Sequence, residues 1–166
     1  PPRSTPKPSS AASDVYKRQV PDSFKAELLA GSHNFEYGVS AQVFKLALYV
    51  TTLGPPYTTS STVYSTTNEV SSSGTNYSAG GNALTLDTLS GSVPGSNTAI
   101  VDFVNLTFSN VTLTALGAAI YNSSTTPANM LCLVLDFGGN KTATSGDFTI
   151  QFPSPTAADA IIRLGD

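Results

Sequence analysis

The chain has 166 residues, of which 11% are charged, with 8 basic and 11 acidic side chains and a net charge of −3. That length fits one domain of ordinary size, able to bury a real core. The scattered bases exclude nucleic-acid binding by phosphate neutralisation, which needs clusters of Lys and Arg; no apolar stretch reaches the ~18 residues that cross a bilayer, so neither nucleic acid nor membrane is expected as a partner.

Residues 1–19 are set aside before any fold reasoning, as processing segments are. The run Ser9-Ser-Ala-Ala-Ser-Asp-Val-Tyr-Lys-Arg-Gln19 is what a common transposon-type sequencing adaptor gives on translation. Pro1-Pro-Arg-Ser-Thr5 fits the adaptor bases upstream, and an index between the two covers Pro6-Lys7-Pro8. The segment is expected to be an adaptor-derived, disordered arm; the alternative is a basic, Pro-rich arm that binds an acidic partner. Without it, residues 20–166 keep 4 basic and 10 acidic residues, a net charge of −6, and the remaining bases are Lys25, Lys45, Lys141 and Arg163.

Phe24 to Gly31 reads as a short helix. Asp22 or Ser23 can cap its start, Gly31 suits a left-handed end, and Phe24 and Leu28 share a face that would pack on a sheet edge. At this length it depends on tertiary packing. Ser32 to Ala41 is polar and loop-like. Gln42 to Thr51 alternates, with Phe44, Leu46, Leu48 and Val50 on one face, and is a strand that ends before Gly54-Pro55-Pro56.

Tyr57 to Asn82 is a polar run with Tyr57, Tyr64 and Tyr77 spaced through it, and Val63 to Val70 is a candidate short strand within it. A long segment of this kind is either a functional contact surface or a solvated connection whose rings cover the sheet edge. Strands are expected at Ala83–Leu89, Thr98–Val104, Leu106–Phe108, Asn110–Ala115 and Ala118–Tyr121. Turn signals separate them, and Ala160 to Leu164 closes the sheet.

Met130 to Phe137 is a near-continuous apolar run, the mark of a strand buried on both faces. Asp147 to Phe152 alternates, with Phe148, Ile150 and Phe152 on one side. The polar stretch Gly138–Gly146 between them predicts a hairpin loop at the centre of the fold. Short alternating strands with regular turns give the fold class: all-β, an antiparallel, jelly-roll-like β-sandwich with one short N-terminal helix, as a single domain over residues 20–166.

Reactive motifs are scarce. Cys132 is the lone cysteine, so it has no internal disulfide partner and reads as a buried small hydrophobe. A catalytic cysteine wants a nearby histidine, and His33 lies far off in sequence, so the two are not expected to meet. Asp136-Phe137-Gly138 matches the kinase magnesium tripeptide by letters alone. Asp136, Asn140 and Asp147 flank one stretch and could offer oxygen donors to calcium, but their spacing suits turn chemistry. Asn76, Asn105, Asn110, Asn122 and Asn140 begin Asn-x-Ser/Thr triplets, as a Ser/Thr/Asn-rich composition produces freely. Glu27, Glu36, Glu69 and the aspartates are scattered. No catalytic, cofactor-binding or metal-ligating residue is assigned, and no cofactor.

Several stretches carry a family resemblance: Ser23-Phe-Lys-Ala-Glu-Leu-Leu29 with His33-Asn-Phe35; Phe44-Lys-Leu-Ala-Leu-Tyr49; Thr66-Thr-Asn-Glu-Val70 with Tyr77-Ser-Ala-Gly-Gly81; Ala118-Ala-Ile-Tyr-Asn122; and Leu135-Asp-Phe-Gly138 with Gly146-Asp-Phe-Thr-Ile-Gln-Phe152. In this order, over nearly all of residues 20–166, they resemble small structural proteins of tailed bacteriophages known from marine and other environmental viral sequence. The resemblance implies a non-enzymatic virion part, capsid-decorating or tail-associated and assembled in the bacterial host cytoplasm. Its partners would be other virion proteins, in a homo-oligomer or symmetric array. Tyr57, Tyr64 and Tyr77 are the expected contact surface, since Tyr is enriched at interfaces. The alternatives are a carbohydrate-binding host-attachment module, with a glycan on exposed aromatic faces, and a small hydrolase.

Overall fold

The structure, a computed structural model, describes residues 17–36, 42–50, 57–87 and 91–165. Its elements in chain order are β1 (Lys17–Gln19), α1 (Asp22–Leu29), β2 (Phe44–Tyr49), β3 (Asn82–Ala83), β4 (Gly91–Ser92), β5 (Ala99–Val101), β6 (Leu106–Asn122), β7 (Met130–Ile150) and β8 (Ile162–Leu164). The fold is all-β. Strands pair antiparallel in a five-stranded sheet, order β1-β7-β6-β2-β3, and a three-stranded sheet, order β4-β5-β8. Side chains from both sheets and from α1 meet in one core: Phe44, Leu46 and Leu48 of β2, Ile120 of β6, Phe148 of β7, Ile162 of β8 and Phe24 of α1. This is a sandwich whose two sheets share an apolar interior.

The expected central hairpin is corrected. Gly138 to Gly146 is no loop: β7 runs unbroken for 21 residues and pairs with β6 from Asn122↔Met130 to Leu106↔Ile150. The turn lies instead between β6 and β7, at 123–129. The glycines that suggested a loop make bulges. Between Gly117↔Asp136 and Ala115↔Lys141, residues 137–140 oppose one residue of β6, and Gly138 takes φ +69°, a left-handed value that suits glycine. The polar residues that suggested solvent do face it, from a strand with one wet side: Thr142 and Thr144 are exposed while Ala143 between them is buried.

Likewise the pieces at Leu106–Phe108, Asn110–Ala115 and Ala118–Tyr121 are one 17-residue strand, β6. Its register shifts between Phe108 and Val111, where Asn110 takes φ +52°. Val63–Val70 forms no strand; its ladder pairing with the sheet is limited to isolated bridges, Val63↔Met130 and Tyr49↔Glu69. The expectation of disorder for residues 1–19 fails at Lys17–Gln19, which pair with Asp136, Leu135 and Val134 on the edge of β7. The rest of that segment, and Gly54-Pro55-Pro56, lie outside the described residues.

Helix α1 follows its sequence signals at one end. Ser32 donates its N–H to Glu27 O and Gly31 to Leu28 O, with Gly31 at φ +72°, so the last carbonyls are satisfied by a left-handed turn. At the other end neither Asp22 nor Ser23 caps: Pro21 holds the N-cap position without a side-chain bond. Phe24 is buried and Leu28 packs beside it, as expected from their spacing.

Gly81 sets the approach of β3 to β2. At φ +69° a Cβ there would stand 1.7 Å from Leu46 O, so the backbone must move to admit one. Gly81→Ala is expected to cost at least about 3 kcal/mol or abolish folding, whereas Gly74→Ala, at φ +72° in open space, costs about 1 kcal/mol. Urea unfolding of the two variants checks the contrast.

Candidate functional site

Two polar clusters sit in the interior: one joins Tyr57 and Tyr64 on the outer face of the five-stranded sheet to Tyr77 in the sandwich core, and the other lies in that core beside α1. The first is built on the expected contact residues. Tyr57 and Tyr77 are each 3% exposed and Tyr64 is half-buried, so the three rings form no common exposed surface on this chain. Tyr57 and Tyr64 pack with Tyr49, Tyr121, Ala47, Ala119, Leu131 and Val134 over the outer face of β2, β6 and β7. Tyr64 stacks on Tyr121 with ring centroids 4.4 Å apart, and Tyr49 meets Tyr57 edge-on at 5.1 Å. Tyr57 and Tyr64 cover a face of the sheet, whereas the alternative reading of the segment had the rings at its edge.

Their hydroxyls explain where they sit. Glu69 Oε2 accepts from Tyr64 at 2.5 Å, and Oε1 accepts from Tyr77 at 2.7 Å and from the Gly80 N–H at 2.7 Å. Tyr77 also accepts the N–H of Leu48 at 3.0 Å, beside the bridge in which Leu48 O accepts the Val70 N–H. Tyr49 and Tyr57 share a 2.7 Å hydroxyl contact, and Tyr49 donates to Ser65 O at 2.6 Å. Tyr121 donates to Gly80 O at 2.7 Å. Burial pushes all five hydroxyls above the ordinary tyrosine range, that of Tyr121 to about 12. Sequence reasoning named the rings but missed Glu69, because an acid in a polar run looks solvated. The available signal was its place amid tyrosines.

The second cluster overturns an expectation. His33 lies beside Cys132, with Sγ 3.9 Å from Nδ1, and Nε2 is 2.9 Å from Glu27 Oε2. The bulge in β7 brings this about: Ile120 pairs with Leu133 and Tyr121 with Leu131, so Cys132 is the extra residue and turns into the core. Asn122 fixes the histidine tautomer. Its Nδ2 donates to Gln42 Oε1 at 2.7 Å and its Oδ1 accepts from the Ser124 N–H at 3.0 Å, so Nδ2 also donates to His33 Nδ1 at 3.1 Å. The remaining ring proton sits on Nε2 and is donated to Glu27.

Thiol, imidazole and carboxylate thus stand in the order that nucleophilic catalysis uses. Their setting opposes it. Cys132 is fully buried, burial drives its thiol well above the ordinary range, and reactive cysteines need the opposite shift and access. Phe24 lies over the imidazole at 5.0 Å. The cluster ties α1 and the His33 segment to β6 and β7.

Asp136 and Asp147 do not converge. Asp136 accepts the Gly138 N–H at 2.9 Å, and Asp147, eleven residues along an extended strand, accepts the Asn110 N–H at 3.1 Å. Among the described residues no group of three His, Cys, Asp or Glu side chains is placed to hold a metal ion. Asp102 is buried with its oxygens facing the N–H groups of Phe103 at 2.8 Å and Ile161 at 3.3 Å. Burial raises it to about 6, against the lowering effect of those bonds. Comparison with protein-family models, with curated proteins and with solved structures gave no match.

Tyr77→Phe removes the acceptor of the buried Leu48 N–H and is expected to cost about 1–3 kcal/mol, and Tyr64→Phe less; chemical denaturation measures both. Because the folded tyrosines hold their protons above the pH at which unfolded ones lose them, stability is full below about pH 10 and falls as pH rises further. Absorbance at alkaline pH should show these five titrating with unfolding. For Asp102 the folded value also lies above the unfolded one, so its contribution is full below about pH 4 and is lost as pH rises toward 6. Asp102→Asn should flatten that part of the stability profile, while lowering stability overall by leaving one N–H without an acceptor.

Proposed function

We propose that the chain is a non-enzymatic structural protein of a virion, decorating a capsid or belonging to a tail, that works through contacts between subunits. The observation that carries this reading is the burial of Cys132 and His33. With Glu27, which stays partly exposed on α1, they are ordered as a catalytic site orders them, yet are spent on internal hydrogen bonds. The segment resemblance to phage structural proteins points the same way.

The surface chemistry suits repeated contacts. On the solvent face of the β6–β7 ribbon, cross-strand hydroxyls bond each other, Thr107 with Thr149 and Thr114 with Thr142, both at 2.9 Å. Such a neutral face makes hydrogen bonds of modest energy to a neighbour, and symmetry multiplies them. The partners under this reading are other virion proteins and further copies of the chain.

Mass spectrometry of density-purified particles tests the assignment. Peptides of this chain are expected to band with capsid or tail proteins. Recovery solely from unassembled material contradicts it. Iodoacetamide tests the absence of a catalytic thiol: Cys132 should be labelled only after denaturation, and rapid labelling of native protein at neutral pH would point to an enzyme.

A further inference from the structure

We draw no further inference here: the strongest candidate, the cleft of about 450 Å³ between α1 and the Ile161–Leu164 end of the chain, has Arg18 of β1 in its wall, inside the segment read as adaptor-derived, and the backbone groups beside it are already held, the Ile161 N–H by Asp102 and the Ala160 and Ile161 carbonyls by Arg18.

Discussion

The structure depends on one constraint: the middle of the five-stranded sheet is buried on both faces, and something polar in sequence must cover the second face. β2 shows it directly. Phe44, Leu46 and Leu48 face the sandwich core, while Ala47 and Tyr49 face the other way and are equally buried. Antiparallel sheets commonly leave the outer face wet, but where that face carries Ala47, Ala119, Leu131 and Val134 it needs a lid as well. Here the lid is a tyrosine-rich segment that is neither strand nor helix. Tyrosine supplies ring area, but a buried hydroxyl without a partner costs several kcal/mol. That cost explains Glu69, Ser65 O and Gly80 O: each is an acceptor placed where a hydroxyl ends.

The same logic accounts for the second polar cluster. His33 and Cys132 lie on the sandwich side, under α1, and each polar atom of the histidine ring has a named partner. A satisfied buried network fixes which elements meet. Glu27 belongs to α1, Asn122 ends β6, and Cys132 is the bulged residue of β7. The helix is too short to be stable alone, so this network and Phe24 hold it in place. Residues that resemble an active site in type and order fasten the helix to the sheet.

Much of the fold was legible. The alternation of β2, the buried run Leu131–Leu135, the left-handed Gly31 and the pairing of Phe24 with Leu28 all follow from local rules. What misled was the assumption that glycine, asparagine and a run of polar residues mean a turn. In β6 and β7 they mean bulges in two long strands, because each strand has the other as a continuous partner, and pairing over that length outweighs local turn preference. The tyrosines were legible as packing or contact residues, but not as which. Their environment depends on Glu69 and Ser65, whose roles appear only when distant segments meet. The Cys132–His33 approach was hidden for the same reason: 99 residues separate them, and only the bulge and the helix bring them together.

The two-faced burial of the sheet is tested most directly by nuclear Overhauser contacts from the tyrosine rings, in a spectrum simplified by the absence of tryptophan. The account predicts strong cross-peaks from Tyr57 and Tyr121 ring protons to methyl groups of the Ala47, Ala119, Leu131 and Val134 cluster. Ring signals without such contacts, broadened by a soluble paramagnetic probe, would place the tyrosine segment in solvent and contradict it.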